Sequence, residues 1–521
     1  MASRGAGRVQ RSGAAPSKDL KEDRMHFSFI GHNAMYFGGP GGLLMDPLLF
    51  DKYGDDYTSS PVEVYPPRSV DIPAMPTPSG IVISHEHSDH FHVPSLNAID
   101  RSAVIYVGPL MPQPVVELAA GLGFTVERVP FGEQVRCGDV VFQLFPAGDD
   151  TLLWESRVSQ VYIRDAADLD AGGVFVTIDA LPSFDFINAV ETGTLPRPTT
   201  LACSNNAQVT PSGVYGATDN LTADGAFVGA AQKQPFAGVD ILHSVFVDTC
   251  SDTDIFQDCG LIITGGGFLK DYEEMGPFPF ADQHLLAESL RDLTGGGIDI
   301  LAPLPGDATV IAGGRFTDAG TTSWVTLNSS RYDALTRRRD GFIAANGTIG
   351  MKAVTSAISV EEIPAALRMV TKDLEYLAQI LMMTERSSQL CALAAELGRY
   401  DDLILFTLVD DGTEYHWAFD LRQSRFVTVA PSLSTLTARR AHYPFGIVAH
   451  LSDWVAVLTG ELQIWDIVGV AMRCWYPDDP AISSIVYTLY NAYGEQAKPQ
   501  AAYQVYRNQL ATIVERPVHH G

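Results

Sequence analysis

From Met25 to about Val325 the chain repeats one pattern, short β-branched and aromatic runs punctuated by Gly and Pro. HFSFIGHNAMYF, GGLLMD, GIVIS, AVIYV, VVFQLFP, SQVYIRD, GVFVTID, VDILHSVF, GLIITGG and IDILAPL predict strands. Two stretches, QPVVELAAGLG and DQHLLAESLRDLTGG, carry helical spacing instead. Many strands with interspersed helices predict a layered α/β domain over residues 25–335. Residues 190–236, with Pro196, Pro198, Asn205 and Asn206 among many Gly, Thr and Ser, read as a long excursion from the sheet, the kind of loop that walls a substrate site.

Beyond residue 350 the texture changes. PAALRMVTKDLEYLAQILMMTERSSQLCALAAELG reads as one helical run, and LILFTLVDDGTEYHWAFDL as a hairpin turning at Asp411-Gly412. Residues 350–521 are therefore expected to form a second, α+β domain of unassigned role. No internal repeat is visible. Residues 1–24 are polar and rich in small side chains, without the apolar stretch of a signal peptide, and read as a disordered leader.

Charge narrows the partners. Acids outnumber Lys and Arg by 62 to 35, for a net charge of −27, which argues against binding nucleic acid or anionic lipid. The six cysteines form no CxxC pair, so neither a disulfide framework nor a zinc ribbon is indicated. The most apolar late stretch contains Asp453, Glu461 and Asp466, each costly in a bilayer, so no membrane span is expected. A cytoplasmic protein is the reading that fits.

The chemistry concentrates in IVISHEHSDHFHVP. After the run GIVIS come His85, His87, Asp89 and His90 in the form HxHxDH. A loop leaving a strand can splay His85 and His87 towards one point and Asp89 and His90 towards a second, giving two adjacent metal positions. Imidazole suits Zn and Fe alike, and carboxylates supply the negative charge that two dications need. Glu86 and Ser88 are expected to point away, and His92 to be a supporting or surface residue.

This motif resembles the metallo-β-lactamase superfamily, over about 300 residues. The resemblance implies a sandwich of two sheets flanked by helices, αββα, here followed by the α+β domain. FIGHNAMYF with GGLLMDPLL resembles the opening hairpin and its Asp-Pro turn, and GGVFVTID the strand ending on a metal-bridging aspartate, here Asp179. FADQHLLAESLRDL resembles the segment bearing the last histidine, here His284, with His243 as competitor. His32, on the opening strand, is read as a core or supporting histidine.

The chain departs from the family at one ligand. Hydrolases of the superfamily take a third histidine from the loop before the bridging aspartate, yet no histidine occurs from Val93 to Leu242. Asp149, Asp150 and Glu155 in FPAGDDTLLWESR are the replacements available, and Glu155 is preferred because WESR resembles the family's His-Trp-Ser-x-Arg with Glu in the histidine's place. A third anionic ligand favours iron and makes metal-bound water less acidic.

The change to Glu resembles the superfamily's non-haem diiron oxygenase branch, of the chloramphenicol-biosynthesis β-hydroxylase type. That resemblance implies two Fe ions, one held by His85, His87 and Glu155, the other by Asp89, His90 and His284, with Asp179 bridging. It further implies dioxygen, an external electron donor and a small or carrier-linked substrate of specialised metabolism. The alternative is a Zn- or Mn-dependent hydrolase of lactones, phosphodiesters or amides, and a third reading is a binding protein with a degenerate site.

Overall fold

The computed structural model describes residues 24–53, 62–148, 157–204, 214–215, 254–269, 283–293, 295–334, 353–383, 386–430, 433, 436–462, 464–467 and 471–475. Asp149, Asp150, Glu155, His243 and the leader before Arg24 lie outside the described residues.

The first strands are β1 (Met25–Gly31), β2 (Ala34–Phe37), β3 (Leu43–Met45), β4 (Gly80–Ile83), β5 (Val104–Val107) and β6 (Thr125–Arg128). A second series follows as β7 (Gln134–Cys137), β8 (Val140–Pro146), β9 (Ser159–Asp165), β10 (Val174–Ile178), β11 (Thr200–Ser204), β12 (Gly260–Thr264) and β13 (Ile300–Leu301). The chain then returns to the first sheet with β14 (Asp307–Ala312) and β15 (Arg315–Thr321). The resulting orders are β15-β14-β1-β2-β3-β4-β5-β6 and β7-β8-β9-β10-β11-β12-β13.

Side-chain alternation explains the layers. In β1 Phe27 and Phe29 point between the sheets, where they meet Val82, Phe142, Val161, Val176 and Ile262. Ile81, Ile83 and Ile105 point outward, covered by Leu96 of α1 (Val93–Ala98) and Val115 and Leu118 of α2 (Gln113–Gly121). On the far face Phe175 stacks on Phe186 of α3 (Phe184–Glu191) at 3.9 Å between centroids, and α4 (Gln283–Leu293) adds Ala287 and Leu290. The molecule thus has the αββα architecture of the metallo-β-lactamase fold in residues 25–327.

One expectation is corrected. The excursion does not begin at residue 190, because Thr200–Ser204 is a fully buried strand between β10 and β12, parallel to both. A central parallel strand is buried on both faces and shows no polar alternation, so LACS was lost in a Pro- and Thr-rich neighbourhood. Of residues 205–236 only Val214–Tyr215 are described, and they pair with the edge of the C-terminal sheet.

In the C-terminal part, two helices, α5 (Ile363–Met383) and α6 (Arg386–Leu397), replace the single run expected from sequence. Beyond them lie β16 (Ile404–Asp410), β17 (Thr413–Asp420), β18 (Arg425–Thr428), α7 (Leu436–His442), β19 (Phe445–His450), α8 (Leu451–Thr459) and β20 (Met472–Trp475). The β16–β17 hairpin turns as expected at Asp411 and Gly412, with φ of 42° and 78°. Among the described residues no helix is long and apolar enough to cross a membrane.

Candidate metal centre

Strand direction creates the site. β3 and β4 run parallel with Met45 opposite Val82, so Asp46 and Ser84 leave the first sheet side by side. In the second sheet β10, β11 and β12 are parallel, with Ile178 opposite Cys203 and Ser204 opposite Thr264. The carboxyl ends of both sets of strands converge on one rim, the usual place for a ligand in sheets of this kind.

The motif loop supplies the imidazoles. His85 and His90 lie with ring centroids 4.1 Å apart, and His87 packs edge-on against His85 at 4.5 Å. Asp179 Oδ2 stands 3.1 Å from His90 Nε2 and 3.9 Å from His85 Nε2. Asp89 Oδ2 stands 3.5 Å from His90 Nε2. Two groups result, His85 with His90 and Asp179, and His32 with Asp89 and His90, each with ligand atoms within 4.8 Å of one another.

Hydrogen bonds behind the rings decide which nitrogen faces the site. Asp46, wholly buried, accepts from Ser84 N–H at 2.8 Å and from Ser84 Oγ at 2.6 Å. The one Ser84 hydroxyl proton is therefore committed to Asp46, and Ser84 Oγ, 3.0 Å from His85 Nδ1, accepts the proton of that nitrogen. His90 Nδ1 donates to Asp46 Oδ2 at 2.8 Å. Both Nε2 atoms are thereby turned inward, the arrangement in which imidazoles bind metals. His85 Nε2 is buried and has no hydrogen-bond partner among the described residues.

The carboxylates are held with equal care. Asn33 Nδ2 donates to Asp179 Oδ1 at 3.3 Å and to Ser204 Oγ at 3.0 Å, while Thr264 Oγ1 donates to Asn33 Oδ1 at 3.1 Å. Ile178 takes φ of 55°, at the register shift that ends β10. A β-branched residue in that region is strained, and the kink aims Asp179 out of the sheet. Gln160 pins the kinked segment by donating to the carbonyls of Thr177, Ala180 and Leu181. Arg68 ties the carbonyls of Ile30 and Leu48 together, joining the turn that carries His32 to the chain just after Asp46.

Electrostatics call for a cation. Burial, and then the neighbouring His90 and His87, push His85 well below the ordinary histidine range and keep it neutral. Burial disfavours charge on Asp89 and Asp179, yet His90, joined by His32 at Asp89 and by His85 at Asp179, holds both carboxyls below their usual range. Against its own burial, His90 is raised by Asp89, Asp179 and Asp46. Carboxylates clustered with imidazoles in a buried site are a setting in which a dication would be held. The donor set of imidazole and carboxylate fits such an ion.

Of the remaining residues named from sequence, His284 opens α4, half-buried, within the electrostatic reach of Asp307, and joins neither three-ligand group. Glu86 is buried and paired with Arg157. His92 is buried, with Nδ1 2.6 Å from Ser95 Oγ, and burial with the nearby Arg68 pushes it down to about 3. Sequence reasoning missed Asp46, Ser84, Asn33 and Gln160 as orienting residues. The Asp-Pro step after GGLLM was the signal available for Asp46.

No family model and no curated protein sequence matches the chain. Solved structures similar to it include an isothiocyanate hydrolase from Delia radicum gut bacteria, at TM-score 0.36 and 12% identity, covering 55% of this chain and 99% of that one. CmlA, a diiron β-hydroxylase from Streptomyces venezuelae, is similar at TM-score 0.33 and 18% identity, over 56% of this chain and 54% of that one. The metallo-β-lactamase fold protein YhfI from Bacillus subtilis aligns at TM-score 0.31 and 12% identity, over 56% of this chain and its full length.

Proposed function

We propose that this chain is a metal-dependent oxygenase with a dinuclear iron centre, acting on a small or carrier-linked metabolite. One observation carries the choice of oxygenase over hydrolase. Gly148 N–H donates to Leu181 O at 2.9 Å, two residues past Asp179, and Arg157 pairs with Glu86 of the motif loop. Between Gly148 and Arg157 the sequence carries Asp149, Asp150 and Glu155 as carboxylates and no histidine.

In this reading His85, His87 and Glu155 hold one metal, Asp89 and His90 contribute to the second, and Asp179 bridges. The extra carboxylate favours iron over zinc. When bound, a reduced iron pair supplies the electrons for activating dioxygen against a substrate C–H bond. The chain's own part is to keep His85 neutral, to fix each ring through its Nδ1, and to hold Asp179 through Asn33.

The test is dioxygen uptake. Iron-loaded protein, reduced with dithionite under argon and freed of reductant, is expected to consume dioxygen on mixing with aerated buffer, and His85→Ala to lose that uptake. Absence of uptake by the wild-type protein, with zinc restoring hydrolysis of a chromogenic lactone, phosphodiester or amide, points to the hydrolase instead.

A further inference from the structure

We propose that His32, from the turn between β1 and β2, is the third protein ligand of the second metal position, in place of His284. The inference deepens the dinuclear reading and rests on it. His32 Nε2 lies 3.0 Å from Asp89 Oδ2, and His90 Nε2 lies 3.5 Å from that same oxygen. Donor atoms on one cation with bonds of about 2.1 Å stand roughly 3.0 to 3.4 Å apart, from right-angled to tetrahedral geometry. Of the two edges that meet at Asp89, the one to His32 lies within this range and the one to His90 just above it.

The backbone explains how the ring arrives there. Pairing of β1 with β2 shifts register between Phe29 and Gly31, and Gly31 and His32 take φ of 125° and 55°. Both lie in the left-handed half of backbone space, which Gly enters freely and His only at a cost. A side chain added at Gly31 would collide with the Arg68 guanidinium. The strained turn is pinned on its other side by Gly265 N–H, which donates to His32 O at 2.8 Å. Strain of this kind, fixed from several directions, is found where a side chain must be aimed.

The adjacent residue strengthens the assignment. Asn33 holds Asp179 while His32 reaches Asp89, so one dipeptide addresses both carboxylates of the site. His32 is 3% exposed. His284 sits half-buried at the start of a helix and contributes to no three-ligand group among the described residues.

The competing role for His32 is a hydrogen bond to Asp89 and nothing more, and the experiment separates the two. Wild type, His32→Ala, His32→Gln and His284→Ala are loaded with Co(II), desalted, and counted for metal by mass spectrometry, with far-UV circular dichroism on each. Wild type and His284→Ala are expected to retain about two metals per chain, and both His32 variants about one. In a crystal of the wild-type Co(II) protein, the anomalous peak nearest Asp89 should lie about 2.1 Å from His32 Nε2. Two metals in His32→Gln, which keeps a hydrogen-bond donor, or an anomalous peak beyond bonding distance of His32, overturns the assignment while leaving the dinuclear reading intact. A wild-type chain that takes up a single metal sinks the dinuclear reading itself, and the second position with it.

Discussion

Asp46 accepts the Nδ1 proton of His90 at 2.8 Å, and both side chains are completely buried. The two residues are far apart in sequence, brought together because β3 and β4 run parallel and end at the same rim. Asp46 touches neither candidate metal position, yet it sets the tautomer of His90 directly and, through Ser84, that of His85.

Replacing Asp46 should therefore be felt as a loss of metal affinity. Asp46→Ala is expected to weaken binding about 10- to 100-fold, the usual effect of losing such a partner, measured by competition with a chromophoric chelator. It also strands the Ser84 N–H, so the metal-free protein should lose about 1–3 kcal/mol of stability. An unchanged affinity would show that Asp46 serves packing alone.

Cys137, buried beside Tyr106, Ser79 and Glu127, gives a prediction about pH. Burial pushes its thiol up to about 11 from an ordinary 9.0, so folding favours the protonated form. A raised acid group contributes stability that is fully present below pH 9 and lost as pH climbs through 11. Cys137→Ala should show a shallower loss of stability across that window in denaturant titrations, apart from the share due to Tyr106, itself raised to about 12. At pH 8 the folded chain should expose Cys391 to a thiol reagent while Cys137, Cys203 and Cys259 stay silent until unfolding.

Asp453 stabilises the C-terminal part. Its carboxylate, fully buried on α8, accepts from Val354 N–H, Thr355 N–H and Thr355 Oγ, the last at 2.7 Å. Asp453→Ala leaves those donors unpaired and should cost about 3 kcal/mol, seen as a lowered thermal transition with metal content unchanged. Loss of metal together with stability would show that the two parts of the chain unfold as one.

Much of this was legible in the sequence, for physical reasons. HxHxDH after an apolar run announces itself because every ligand of the loop lies within six residues, and GGVFVTID because its Asp ends a run buried on both faces. Asn33, Ser84 and Gln160 could not be read. Each is a polar residue whose partner is chosen by sheet order rather than by spacing. His32 was visible as a histidine, but its place beside Asp89 follows from a register shift and a left-handed backbone that no pattern encodes. The strand Thr200–Ser204 was hidden because a doubly buried parallel strand lacks alternation.

The central claim is that this rim holds a pair of irons. It is tested most directly by the metal content of protein purified from iron-supplemented cells, read by mass spectrometry with the optical spectrum of the same sample. The account predicts about two irons per chain, with an oxo- or hydroxo-bridged absorption that bleaches on anaerobic reduction and returns in air. About two zincs, with no uptake of iron even when it is supplied in excess, would contradict it.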